Sequence, residues 1–112
     1  MDLKVEQAGR INLAYVTGDI DGATALQFQE RLLPLVKSGN PLLLELSRVS
    51  FISGEGLRVL MGLKRQLSGR GGRLALVGLS QQIKETMSTT GFGELFQIYA
   101  SLPEAMAALG GY

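Results

Sequence analysis

Leu42-Leu43-Leu44-Glu45-Leu46 is the stretch on which the fold turns. It is a short, nearly continuous apolar run, with Gly39-Asn40-Pro41 before it and Ser53-Gly54-Glu55-Gly56-Leu57 after it. A run of this length between breakers suits a strand buried on both faces, as in a parallel sheet. The period then changes: Leu57, Leu60, Leu63 and Leu67 form the seam of a helix from about Gly54 to Leu67, ended by Gly69, Gly71 and Gly72. Leu74-Ala75-Leu76-Val77-Gly78 reads as a second buried strand, and Ser80 to about Thr89 as another helix. Phe96-Gln97-Ile98-Tyr99 reads as the last strand. Ser101-Leu102-Pro103-Glu104 is a capping box with Pro in the first turn, opening a helix to about Leu109.

In the other direction, an apolar stripe begins at Thr24. Leu26, Glu30 and Leu33 fall on one line at helical spacing, and Ala25, Phe28, Leu32, Leu35 and Val36 widen it. Pro34 lies inside the stripe, which predicts a kink or a shortened helix. Residues 3–8 and 11–17 read as strands turned at Gly9-Arg10. The order is therefore β-β-α-β-α-β-α-β-α, a five-stranded, mostly parallel α/β sheet with one antiparallel edge strand and four helices. No linker or internal repeat interrupts it, so residues 1–112 are expected to form one domain.

Composition narrows the chemistry. Of 112 residues, 46% are hydrophobic and 19% charged, the balance of a globular chain rather than a disordered one. Eleven basic residues against ten acidic give a net charge of +1, which argues against a nucleic-acid binder. With no Cys and no His, thiolate nucleophiles, disulfides, His-based triads and His metal ligands are all excluded. No metal or cofactor is expected. No signal-peptide stretch opens the chain and no apolar run approaches the roughly 18 residues of a membrane span, so the expected location is the cytoplasm.

Three local patterns carry the candidate chemistry. Asp19-Ile20-Asp21-Gly22-Ala23-Thr24 resembles the D-x-D-G-T nucleophile loop of haloacid-dehalogenase-type phosphatases, in which two acids meet a Mg²⁺ ion and a phosphoryl group. Ala23 stands where that loop has Thr, and no Asp follows Asp21 to complete the metal site. The competing reading is two acids in a strand-to-helix loop, one near a helix N-terminus. The second pattern is Phe51-Ile52-Ser53-Gly54-Glu55-Gly56-Leu57, at a strand-to-helix join of the kind where α/β sites are built. Its glycines permit close approach, but Glu55 already brings an anion to the helix start and would repel a phosphate. The third is the acid-free stretch holding Arg58, Lys64, Arg65, Arg70 and Arg73. No aromatic is interleaved, which favours a solvated helix face over a binding patch.

Taken together, the chain resembles the STAS domain, and within it the bacterial anti-sigma factor antagonists. Val16-Thr17-Gly18-Asp19-Ile20-Asp21, Leu43 to Ile52, and Gly56-Leu57 carry the resemblance. Gly71-Gly72-Arg73-Leu74-Ala75-Leu76, Thr90 to Phe96, and Ser101-Leu102-Pro103-Glu104-Ala105 extend it over the whole chain. The resemblance implies a non-enzymatic partner switch. Such an antagonist binds an anti-sigma factor that is also a serine kinase, is phosphorylated by it, and then loses affinity for it.

The family's acceptor motif, Asp-Ser-[Ser/Thr]-Gly-Leu, matches Ser53, Gly54, Glu55, Gly56 and Leu57. The acceptor position thus carries Glu55, which has no hydroxyl, and the family's strand Asp has become Glu45. Asp21 matches the family's Asp after the second strand. Three outcomes follow from these departures: a phospho-like state held by Glu55, phosphorylation moved to Ser53 or less favourably Ser50, or another partner. The partner surface implied comprises Asp19, Asp21, Gly22, Ser53, Gly54, Glu55, Gly56 and Arg58. STAS modules also serve as subunits of lipid-transport and stress-signalling complexes, and the sequence leaves homo-oligomers open.

Overall fold

A computed structural model describes residues 1–110; Gly111 and Tyr112, the end of the expected domain, lie outside the described residues. Strands β1 (Asp2–Ala8), β2 (Ile11–Thr17), β3 (Leu42–Arg48), β4 (Leu74–Val77) and β5 (Gln97–Tyr99) form one sheet in sequential order. β1 pairs antiparallel with β2, and every other pairing is parallel. The β1–β2 hairpin turns at Gly9-Arg10 with Ala8 opposite Ile11. Helices α1 (Ala25–Lys37), α2 (Gly54–Gly69), α3 (Gln81–Thr90) and α4 (Leu102–Ala108) complete the expected order.

Alternation along the strands builds two cores. Leu42, Leu44 and Leu46 of β3 and Leu74 and Leu76 of β4 pack under the α1–α3 layer with Phe28, Leu32, Leu60, Leu63 and Leu67. Leu43, Ala75 and Val77 point to the opposite face, where Ala105 and Leu109 cover them. This two-sided burial is why β3 and β4 read as unbroken apolar runs. All four leucines of the α2 seam are buried.

α1 departs from expectation in its length and in its buried face. The helix runs uninterrupted through Pro34 to Lys37. Pro34 is exposed, as is Glu30, whose carbonyl loses its helical partner and stays within reach of water. On the other side Ala25, Phe28, Leu32 and Val36 hold the helix to the sheet. The line through Leu26 is not the buried one: Leu26 is 65% exposed. A short 3-10 turn at Phe92–Leu95, which no periodicity announces, precedes β5.

Candidate functional site

The loops after β2 and β3 leave neighbouring parallel strands and open into the N-termini of α1 and α2. They are tied together by an isolated parallel bridge between Ile20 and Ile52. The Ile20 N–H donates to the Phe51 carbonyl at 3.0 Å, and the Ser53 N–H donates to the Ile20 carbonyl at 2.8 Å. Both isoleucines are buried, so the bridge is anchored in the core while polar side chains on either side reach the surface.

Asp21 organises the first loop. Its Oδ1 accepts from the backbone N–H of Ala23 at 2.9 Å and of Thr24 at 3.2 Å. The Thr24 hydroxyl donates to the Asp19 carbonyl at 2.8 Å and accepts from the Asp21 N–H at 3.0 Å. This is the closed turn that a short acid makes before a helix. Asp19 instead reaches across: its Oδ1 accepts from the Ser50 hydroxyl at 2.9 Å. The two acids are thus turned to different tasks, and among the described residues no three acidic side chains converge on a metal position. The phosphatase-like reading of this loop therefore gains nothing from its geometry.

The second loop starts α2. Ser53 is its N-cap, accepting from the Gly56 N–H at 3.2 Å, and is half-buried. Gly56 is buried where a β-carbon would stand 2.8 Å from the Ile20 carbonyl oxygen and 2.8 Å from Ile52 Cγ2. Only a glycine lets the helix start close against the bridge. Glu55, in the first turn, is exposed, and its carboxylate lies against Gly22 of the other loop. Gly54 is exposed with open space around it, and Arg58 is exposed one turn further along α2. Neither Glu55 nor Arg58 forms a side-chain hydrogen bond or ion pair among the described residues.

The eight expected site residues therefore lie on two joined loops and the α2 N-terminus. Sequence reasoning missed Ser50 and Thr24 as the residues that fix the loops, and Phe51, which is 39% exposed beside the bridge. A large aromatic next to a glycine-bearing turn is the signal that was available for Phe51. Glu45, by contrast, turns back on its own strand and accepts from the Ser47 hydroxyl at 2.8 Å. Of the basic stretch, Arg73 is structural: it donates to the Ala108 carbonyl at 2.7 Å and to Gln97 Oε1 at 2.8 Å. A cavity of about 470 Å³ lies away from the loops, against β1 to β3. Lys4 and Arg48 alternate there with Asp2, Glu6 and Glu45, which gives no preference for either sign of ligand.

A five-stranded mixed sheet in this order, with a glycine-bearing loop seated on the preceding crossover, is the STAS architecture, and the STAS domain model matches residues 2–105. The chain belongs to the STAS family, and within it to the anti-sigma factor antagonists. It is 32% identical over 85 residues to the anti-sigma-B factor antagonist of Bacillus subtilis (strain 168), covering 76% of this chain and 78% of that one. The crystal structure of an anti-sigma factor antagonist from Mycobacterium paratuberculosis superposes with a TM-score of 0.87 at 25% identity, over 96% of this chain and 92% of that one. The anti-sigma factor antagonist SpoIIAA shares the fold in its unphosphorylated form, with a TM-score of 0.76 at 19% identity over 99% of this chain and 100% of that one. The phosphorylated form of SpoIIAA from Bacillus gives 0.72 at 20% identity, over 96% of this chain and 99% of that one. Among the described residues no helix is long and apolar enough to cross a membrane.

Proposed function

We propose that this chain is a non-enzymatic, cytoplasmic protein-binding module that docks an anti-sigma factor of the serine-kinase type. Its docking surface comprises the Asp19–Gly22 loop, the Ser53–Gly56 loop and Arg58. The observation that carries the reading is the exposed carboxylate of Glu55 at the α2 N-terminus, unpaired among the described residues and set against Gly22 of the joined loop. In the family motif that position belongs to the phosphorylated hydroxyl. SpoIIAA, which shares the fold, is known in both an unphosphorylated and a phosphorylated form.

Glu55 supplies one negative charge where a phosphoserine would supply close to two, with three acceptor oxygens. A partner that presents nucleotide phosphates to this position meets a carboxylate instead of a hydroxyl, and like charges brought together on docking repel. The module thus stands in a phospho-like, weakly binding state. Any remaining phosphorylation in this loop falls on Ser53, or less favourably on Ser50, whose hydroxyl is engaged with Asp19.

Calorimetric titration of the Glu55→Ser variant with a serine-kinase-type anti-sigma factor from the same genome tests the docking surface. Binding is expected, and adding Arg58→Glu weakens it about tenfold or more. No heat of binding with Glu55→Ser, or an unchanged affinity with Arg58→Glu, would overturn the assignment. Mass spectrometry after incubation with the kinase locates the phosphate; modification outside the loop, for example at Thr89 or Thr90, would show that this loop is not the target.

A further inference from the structure

The sheet has two free edges, and they differ in chemistry. β1 carries Asp2, Lys4 and Glu6 exposed along its length, with Lys4 Nζ 3.7 Å from Glu6 Oε1. Charges of this kind keep a strand edge from pairing with another chain. β5 carries none: it is Gln97-Ile98-Tyr99, with Ile98 38% exposed and Leu95 just before it 49% exposed. Between α3 and this edge runs a groove of about 350 Å³ floored by Leu79, Met87 and Ile98. It continues past Lys84 into a further space of about 320 Å³ at Gly78, Tyr99 and Ala100.

The charges on the groove are ordered along the strand. Glu94 lines only the first space, on the N-terminal side of β5, while Lys84 lines both spaces and so also borders the part that reaches Tyr99 and Ala100, at the C-terminal end. Both side chains are exposed, and neither forms a hydrogen bond or ion pair among the described residues. A two-fold axis at Ile98 would set two β5 strands antiparallel, so that the C-terminal end of each meets the N-terminal end of the other. Lys84 of one copy then faces Glu94 of the other, twice, around an apolar centre formed by the two Ile98 side chains and their grooves. The edge is complementary to itself.

We propose that the β5 edge and the α3–β5 groove form a homodimer interface, in which two copies join their sheets through Ile98 and cross-pair Lys84 with Glu94. Three residues of strand offer few backbone hydrogen bonds, so the groove and the two ion pairs must supply the specificity. β4 separates this surface from the β3 side of the partner-docking loops.

Sedimentation equilibrium over a range of protein concentrations tests the proposal. The chain is expected to show a monomer–dimer equilibrium. Lys84→Glu alone, or Glu94→Lys alone, turns both cross-pairs into like-charge contacts and should weaken the dimer at least about tenfold. The double exchange Lys84→Glu with Glu94→Lys should restore it. Both positions are exposed, and circular dichroism melting checks that each variant remains folded. A monomer up to about 1 mM, a dimer indifferent to the single reversals, or a double exchange that fails to restore association would each overturn the proposal.

Discussion

The carboxylate of Glu55 lies over Gly22 so closely that a β-carbon at residue 22 would stand 2.9 Å from Oε2 and 3.1 Å from Oε1. The same construction at Gly56 meets Ile20 and Ile52 at 2.8 Å, yet the two glycines should respond differently to substitution. At Gly22 the obstacle is the far end of an exposed side chain, which can rotate into solvent. Gly22→Ala should therefore change stability by no more than about 0.5 kcal/mol. At Gly56 the obstacles are a backbone carbonyl and a buried β-branched side chain, so Gly56→Ala should cost about 1–3 kcal/mol. Urea unfolding of the two variants measures the contrast.

Asp19 and Asp21 should separate in the same experiment. Asp21 closes a turn through two backbone N–H groups, and Asp21→Ala should cost about 0.5–2 kcal/mol, with Asp21→Asn recovering most of it because one oxygen remains. Asp19 makes one exposed bond to Ser50, and Asp19→Ala should stay within about 0.5 kcal/mol. A larger loss at Asp19 than at Asp21 would show that the cross-loop bond, and not the turn, holds the site.

Pro34 sits inside α1 with its ring in solvent. Replacing it by Ala restores a helical hydrogen bond to Glu30 and removes the ring's clash with that carbonyl. The stiffer unfolded chain that Pro provides offsets part of the gain. Pro34→Ala should raise stability by about 1–3 kcal/mol, read as a higher denaturant midpoint at unchanged slope.

Those elements were legible whose residues obey one period without competition. β3 and β4 are unbroken apolar runs because both their faces are covered, and the Leu57 to Leu67 seam points entirely into one core. The stripe that holds Leu26 is of mixed width, and so does not say which of its borders meets the sheet. The 3-10 turn at Phe92–Leu95 is too short to show a period at all. For the candidate site, the family motif and the strand-end position of both loops single out residues, but not how they meet. The Ile20–Ile52 bridge and the Ser50–Asp19 bond, 31 positions apart, arise from tertiary pairing that no local pattern encodes.

In the function proposed above, Glu55 holds an antagonist in its phospho-like state at a surface that docks an anti-sigma factor. Release of a fluorescently labelled sigma factor from its complex with the serine-kinase-type anti-sigma factor, followed by anisotropy, measures this directly. With ADP in place of ATP, so that nucleotide phosphates stay in the partner's site and no phosphorylation intervenes, Glu55→Ser should release the sigma factor at a concentration about fivefold or more below that needed with Glu55 in place, the ratio that about 1 kcal/mol of relieved repulsion produces. Release by the Glu55 chain at an equal or lower concentration than Glu55→Ser would rule out a phospho-like role, because Glu55 would then belong to the working interface.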